Sequence, residues 1–338
     1  MIIKALIVLV LLVCYHASHA QETRFNKRDS VRIIGVPHKW YNLDSSSKSN
    51  HPTKLPFGRV LFFDVRYDTS FIAISWQANQ QFQLGANNQN TKFNLTGGLE
   101  KSLNNYVDRH FKTNYSNTDA SVFCYIKKLH IGFKDTLLEN SRPGESINKI
   151  NLEVECYYKT GDTLYPALRI DTSYAESIGR LKKEFPELIQ DLLKPLFEKL
   201  ETIDPEKIKK RKAYQPAEIK ERYQSRFNLP ILTTKAYKRG VFRSFNEFIN
   251  HAPSIREFTI KEEGTKVLLY DDQGQSISHV FGFSDGSDLW VFRGAYCAPL
   301  IRVGNGFEFF VTVYMVRRYA TTTRKYLLAL NMETGRVD

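Results

Sequence analysis

The side chains that could carry out chemistry are scattered along this chain of 338 residues. Beyond residue 20, no histidine belongs to an H-x-x-E-H or H-E-x-x-H pair, so the pattern predicts no metal site. These histidines are at positions 38, 51, 110, 130, 251 and 279. His279, Ser284 and Asp285 lie close in sequence, but a turn at residues 284–286 accounts for them without catalysis. We predict no catalytic residue and no cofactor.

Glu153 and Glu155 form a carboxylate pair of the kind that glycosidases use. Strand geometry places them on one face of a predicted strand, about 7 Å apart. Because they alternate with apolar residues, we expect their face of the sheet to be exposed to solvent. We therefore predict no acid–base role in catalysis for this pair.

Six residues form our candidate binding surface. Trp76 and Phe82 lie beside an Asn/Gln-rich loop at 78–96, and amides next to aromatic rings suit sugars or peptides. The other four are two charged pairs, Asp64 with Arg66 at i and i+2, and Asp285 with Asp288 beside a glycine turn. The alternative interpretations are an ordinary loop at 78–96, a surface ion pair between Asp64 and Arg66, and a simple turn at Asp285 and Asp288. The two aspartates also lack the D-x-D-x-D-G spacing of a calcium-binding loop.

Residues 1–20 have the pattern of a cleavable signal peptide. Lys4 precedes an apolar run at 5–13, and small residues at Ser18 and Ala20 suit cleavage after Ala20. We predict a secreted or periplasmic protein with no transmembrane segment after cleavage. Lipid attachment at Cys14 is the less favoured alternative, because Val13 precedes the cysteine where a small residue is normal.

The mature chain is basic, since subtracting Lys4 from the formal charge of +12 leaves +11. Export argues against a nucleic-acid partner, so we consider an envelope protein or an anionic glycan surface instead. A general aid to solubility is the alternative explanation of the charge. The basic run at 209–212 suits contact with a phosphate-bearing surface, and a solvated linker is the alternative there.

Three cysteines remain after cleavage, namely Cys124, Cys156 and Cys297. An exported domain held together by disulfides would have more of them. Cys124 and Cys156 are expected on neighbouring strands, both facing the core. They form either two buried thiols or one cross-strand disulfide.

We predict an α+β fold in two domains. A flexible arm at 21–55 precedes residues 56–201, whose order β-β-α-β-β-β-α indicates an antiparallel sheet with two helices. The first two strands, at 60–66 and 70–76, are interpreted as a hairpin. Apolar periodicity predicts the helices at about 99–111 and 175–200.

A basic linker bounded by prolines is predicted at 202–216. Residues 217–338 are predicted to form a mainly β meander domain with one short capped helix. Ser244 and Glu247 have the spacing of a capping box at the start of that helix.

Two resemblances accompany this organisation. The C-terminal half resembles uncharacterised secreted proteins of Bacteroidota-type bacteria, which pair a G-x-F/Y-x-S/T-F-x-E-F-x-x-x-x-P-S helix (here 240–254) with a later G-F/Y-x-D-G turn (here 282–286). The N-terminal half is similar in outline to small envelope lipoproteins that accompany transport and assembly machines, through an F-x-D-x-R element at 62–66. The resemblance implies a structural or accessory role.

These observations lead to two functional hypotheses. The export signal without a catalytic constellation favours a protein that binds or assembles other envelope components. The alternative is an envelope hydrolase acting on glycan or peptide, with carboxylates gathered by the fold. A cleft holding carboxylates of shifted pKa would support the hydrolase.

Overall fold

The structure of the chain is a computed structural model. It describes residues 36–45, 54–77, 89–113, 120–133, 147–177, 184–263, 266–293, 296–317 and 320–336. The predicted signal peptide and Phe82 lie outside these ranges. The chain divides into a larger unit, Val36–Thr234 with Arg302–Asp338, and a smaller unit that includes Lys235–Ile301. Both units mix strands with helices, which confirms the α+β fold class.

In chain order, the described residues form seventeen strands, six α-helices and one 3-10 turn. They are β1 (His38–Tyr41), a 3-10 turn (Leu43–Ser45), β2 (Lys54–Leu55), β3 (Arg59–Asp64), β4 (Ala73–Gln77), β5 (Gln89–Leu95), α1 (Leu99–His110), β6 (Lys112–Thr113), β7 (Ala120–Phe133), β8 (Ile147–Thr160), β9 (Thr163–Ser177), α2 (Phe185–Glu201), α3 (Pro205–Ile208), α4 (Pro216–Ser225), α5 (Pro230–Thr233), β10 (Gly240–Phe242), α6 (Phe245–Ile249), β11 (Thr259–Glu263), β12 (Lys266–Tyr270), β13 (Gly282–Ser284), β14 (Leu289–Arg293), β15 (Tyr296–Val303), β16 (Gly306–Arg317) and β17 (Ala320–Leu330).

The main sheet of the larger unit has the strand order β1-β5-β4-β7-β8-β9, and β3 also pairs with β7. Strands β3 and β4 both run parallel to β7, one beside each half of it, so the predicted hairpin at 60–76 is wrong. Strand β7 is 14 residues long, which leaves room for both short strands in line. We call residues 65–72, which separate them, the strand break.

Helices α1 and α2 bury their apolar sides in one core with the sheet. Ten residues of α2 are buried, and the ring of its Phe197 stacks on Phe111 at a centroid distance of 4.3 Å. The helix predicted at 99–111 is confirmed, because α1 spans Leu99–His110. The helix predicted at 175–200 starts later, because β9 continues to Ser177 and Pro186 occupies the first turn of α2, where its missing N–H is not needed.

Part of the predicted flexible arm belongs to the sheet. Strand β1 pairs parallel to β5, and the ring of Tyr41 packs against Phe93 and Phe185 at 5.8 and 5.2 Å. The neighbouring Trp40 points away from this core and is 57 % exposed. Alternation along the strand explains why one aromatic ring anchors the segment and the other does not.

In the smaller unit, β10, β13, β14 and β15 pair antiparallel in that order, and β11 pairs with β12. Helix α6 begins as predicted, with the hydroxyl of Ser244 accepting the backbone N–H of Glu247 at 3.2 Å. The carboxylate of Glu247 reaches back one residue further than in a capping box. It accepts the backbone N–H of Arg243 at 2.7 Å.

Candidate functional site

Asp64 and Arg66 form a two-pronged ion pair at the strand break. Nε of Arg66 donates to Oδ1 of Asp64 and Nη2 donates to Oδ2, each at 2.8 Å. Nη1 of Arg66 donates to the carbonyls of Phe71 and Leu129 at 2.9 and 3.1 Å. The arginine is 5 % exposed and satisfies carbonyls that the interrupted strand leaves unpaired, so the pair holds the break together.

Of the other candidate residues, Trp76 belongs to the larger unit, whereas Asp285 and Asp288 belong to the smaller unit. Trp76 lies in β4 opposite Asn90, and Phe82 lies outside the described residues. In the smaller unit, Oδ1 of Asp285 accepts the backbone N–H groups of Ser287 and Asp288, each at 2.8 Å. Asp285 therefore shapes the turn that carries Asp288.

Residues 282–286, where the sequence predicts a turn, also match the spacing of the G-x-S-x-G motif. A nucleophile elbow connects a strand to a helix and exposes its serine. Here Ser284 is the last residue of β13, the turn after it leads to another strand, β14, and Ser284 is fully buried. Its hydroxyl accepts the backbone N–H of Gly286 at 3.0 Å, so the turn interpretation describes the geometry.

Cys124 and Cys156 lie opposite each other on β7 and β8. Their sulfur atoms are 3.2 Å apart and both residues are free thiols. Burial, together with the neighbouring thiol of Cys156, raises the pKa of Cys124. Both side chains are buried in the core, where a protonated thiol behaves as a small apolar group.

Glu153 and Glu155 are buried, at 8 and 7 % exposure, so the prediction of a solvated face is wrong. Helix α4 contributes Tyr223, whose hydroxyl donates to Oε2 of Glu155 at 2.5 Å. Lys127, at a bulge in β7, donates to both carboxylates at 2.5 and 3.3 Å. Burial alone would raise the pKa of Glu155, but the hydrogen bond from Tyr223 and the positive charges outweigh burial and lower it.

A second buried cluster lies between the strand break and β16. Nζ of Lys92, on β5, donates to both carboxylate oxygens of Glu308 at 2.6 and 2.7 Å. The hydroxyl of Ser70 donates to Oε1 of Glu308 at 2.9 Å. Burial and the nearby carboxylate of Asp68 raise the pKa of Glu308 to about 7, although Lys92 and Ser70 act in the opposite direction.

Sequence reasoning missed this cluster, yet Glu308 carried a signal. It is the single charged residue in the otherwise apolar run 307–311, and charged residues are rarely buried unless they are paired. A cleft of about 70 Å³ lies beside the cluster, lined in part by Asp68, Arg66 and His130. This volume holds a few water molecules and is far below the several hundred Å³ of typical ligand sites.

The basic run at 209–212, which we call the basic turn, is exposed at all four residues. Lys209 pairs with Glu206 at 2.8 Å, and Nζ of Lys212 lies 4.9 Å from the centre of the Tyr214 ring. Within the described residues, Lys210 has no acidic partner. Residues 204–212 contain five basic and two acidic side chains, so the segment is positively charged.

The segment that carries the basic turn is fixed to the larger unit on both sides. Before the turn, Asp204 caps α3 through the backbone N–H groups of Glu206 and Lys207, and Ile208 is buried in the main core. After it, Tyr214 exchanges two backbone hydrogen bonds with Leu164, of 2.8 and 2.9 Å. The predicted linker at 202–216 is thus part of the larger unit, because capping and these contacts order it.

Arg211 fixes the turn itself. Its Nη1 donates to the carbonyls of Pro166 and Ala167, each at 2.9 Å, on the edge strand β9. The backbone N–H of Arg211 also donates to the carbonyl of Ile208 at 2.9 Å. The turn therefore holds Lys209, Lys210 and Lys212 around one anchored residue.

Within the described ranges, no cluster of three or more metal-binding side chains occurs, and no helix has the length and apolar character to cross a membrane. Comparison of the chain with models of protein families, with curated proteins and with solved structures finds no match. The resemblances noted from the sequence stay predictions.

Proposed function

We propose that this is an exported binding protein of the cell envelope, and that the basic turn contacts an anionic glycan. The observation that carries the proposal is the fixed geometry of the turn. Three lysines are exposed on a segment ordered by a helix cap, a buried isoleucine and the bonds of Arg211 to β9. A cationic surface that is already ordered loses little conformational entropy when it binds.

The signal-peptide pattern of residues 1–20 supports the envelope as the site of action. The resemblance of the N-terminal half to envelope lipoproteins of transport and assembly machines supports an accessory role there. The formal charge of +11 after cleavage supports an anionic partner.

The expected strength of binding follows from the number of charges. A basic residue near an anionic surface contributes about 1 kcal/mol, so the three lysines contribute about 3 kcal/mol, which corresponds to a Kd of about 6 mM. We therefore expect each turn to bind weakly, and tight attachment to need many turns on one polymer or further contacts.

The test is a binding titration of the mature chain, Gln21 onward, with heparin as a model anionic glycan and dextran as the neutral control. The variant Lys210→Gln/Lys212→Gln removes two charges that make no ion pair among the described residues. We expect this variant to lose about 2 kcal/mol of binding free energy, or about 30-fold in affinity, at 50 mM NaCl.

The matched control is Lys39→Gln/Lys235→Gln, which removes two exposed charges from other parts of the chain. It is expected to change the affinity less than threefold. Equal losses in both variants would mean that net charge alone attracts the polymer, which would overturn the assignment to the turn. Equal binding to dextran and heparin would overturn the glycan proposal itself, and an envelope protein recovered by cross-linking would replace it.

The raised pKa of Glu308 next to the hydroxyl of Ser70 is an observation that favours the hydrolase alternative. Glu308 is fully buried, however, and Lys92 occupies both of its oxygens. The adjoining cleft of about 70 Å³ is too small for a sugar or a peptide. Labelling of Ser70 by a fluorophosphonate probe would favour the hydrolase over our proposal.

A further inference from the structure

The C-terminal hairpin, which we define as β16 with β17, is attached to the main sheet through polar groups as well as apolar ones. Glu308 of β16 binds Lys92 and Ser70. The backbone N–H of Leu327, on β17, donates to the side chain of Asn90 at 3.3 Å. Glu308 and Lys92 are both buried charged residues, and Glu308 has no solvent exposure.

The strand break lies directly against the start of this hairpin. A Cβ atom built at Gly306 would be 3.6 Å from Cβ of Asp68. Ser70 joins the two carboxyl groups, because its backbone N–H donates to Oδ1 of Asp68 at 2.8 Å and its hydroxyl donates to Glu308. Oδ2 of Asp68 is buried, and within the described residues it has no hydrogen-bond partner.

The charges at this place do not balance. The groups that face Glu308 are Lys92 on β5 and Asp68 in the strand break, while His38 on β1 lies next to Lys92. Burial and the charge of Lys92 lower the pKa of His38, so its ring is neutral at pH 7. With both carboxyl groups ionised, the single ammonium group of Lys92 opposes two carboxylates, so these three residues have a net charge of −1. The negative charge of Asp68, together with burial, therefore raises the pKa of Glu308.

We propose that Asp68, Glu308 and Lys92 form a proton-dependent latch, which holds the C-terminal hairpin on the sheet when one proton is bound and loosens it when that proton leaves. The inference does not depend on the ligand of the basic turn. The direction of the pH dependence follows from the difference between the pKa values of Glu308 in the folded and unfolded protein. The pKa of Glu308 is about 7 in the folded protein, above its usual 4.5, so the stabilisation is complete below pH 4.5 and is lost as the pH rises through 7.

The experiment is hydrogen–deuterium exchange of the mature chain at pH 6.0 and 8.5, with rates corrected for the intrinsic effect of pH. One unit of pKa shift changes an equilibrium about tenfold. We expect the opening constant of β16 and β17 to increase at least tenfold at pH 8.5. Amides of the β8–β9 hairpin should change less than threefold, and they also report that each variant is folded.

Asp68→Asn removes one negative charge while keeping an oxygen that can accept the N–H of Ser70. We expect this variant to weaken the effect of pH on the C-terminal hairpin without abolishing it, because burial still raises the pKa of Glu308 when the charge of Asp68 is removed. Asp162→Asn, at an exposed turn, is the matched control and should behave as wild type. Equal protection of the hairpin at both pH values, or an unchanged pH effect in Asp68→Asn, would overturn the latch.

Discussion

Tyr223 on helix α4 donates a hydrogen bond of 2.5 Å to Oε2 of Glu155 on strand β8, across 68 positions of sequence. Helix α4, which carries Tyr223, covers part of the second face of the main sheet. The ring of Tyr223 also stacks on Tyr125 at a centroid distance of 4.4 Å. Tyr223 therefore packs against the sheet and also donates a hydrogen bond to the buried carboxylate of Glu155. A carboxylate that would otherwise be costly to bury is stabilised in this way.

Replacing Tyr223 with phenylalanine is expected to lower the free energy of unfolding at pH 7 by about 1–3 kcal/mol, because Glu155 loses a buried hydrogen bond. The pKa of Glu155 is lowered in the folded protein, so the stabilisation is present above pH 4.5 and is lost as the pH falls. Urea denaturation at pH 7 and at pH 3.5 should therefore show a larger deficit at pH 7. Tyr214→Phe is the control, since the Tyr214 hydroxyl makes no hydrogen bond within the described residues; an equal loss there would contradict the prediction.

Lys92→Met should destabilise the chain by about 3–5 kcal/mol, because it leaves the carboxyl group of Glu308 buried without its cation. The double variant Lys92→Met/Glu308→Leu replaces both charges with apolar groups and should recover part of this loss. A double-mutant cycle measured by urea denaturation gives the coupling between the two residues. Purely additive losses would show that the pair contributes no specific interaction.

His251 gives the smaller unit an acid-sensitive contact. Its Nε2 accepts the backbone N–H of Lys238 at 2.8 Å, and the residue is 4 % exposed. Burial and the charge of Lys238 lower the pKa of His251, so the stabilisation is present above pH 6.5 and is lost as the pH falls through the folded value. Exchange of the Lys238 amide should accordingly accelerate under acid, after correction for intrinsic rates.

His251→Asn removes this titration and keeps a residue type that tolerates the φ of +50° found at this position. We expect the variant to lose about 1–3 kcal/mol at pH 8, because the shorter side chain leaves the Lys238 N–H unsatisfied. The difference in stability between this variant and wild type should then shrink as the pH falls from 8 to 5.5, because only the wild type still has the His251 contact to lose. A pH dependence equal to that of wild type would show that another group is responsible.

Gly240→Ala tests the motif at 240–254. A Cβ atom at position 240 would lie 2.5 and 2.6 Å from Cβ and Cγ of Pro253, and 2.9 Å from the carbonyl oxygen of Ile255. We expect the free energy of unfolding, measured by thermal unfolding, to fall by about 1–3 kcal/mol, because the backbone must shift to make room for the added methyl group. Gly274→Ala is the control in the same unit, where only a positive φ of 77° opposes the substitution, and it should cost about 1 kcal/mol.

The sequence by itself determined the elements whose pattern is local. Alternation predicted the strand that carries Glu153 and Glu155 (β8), apolar periodicity predicted α1, and the spacing of Ser244 and Glu247 predicted the start of α6. Each of these signals arises from residues within a few positions of one another, and a side-chain period of 2 or 3.6 reports them directly.

Only the tertiary structure decided which distant segments meet. Alternation showed that Glu153 and Glu155 face away from the main core, but not that α4 covers them. The sequence correctly predicts two strands within 60–76, but these strands do not pair with each other. Both of them pair with the long strand β7. Lys92 and Glu308 are 216 positions apart, and no periodicity connects them. Local pattern gives each residue its face, whereas pairing depends on the summed free energy of contacts made by the whole chain.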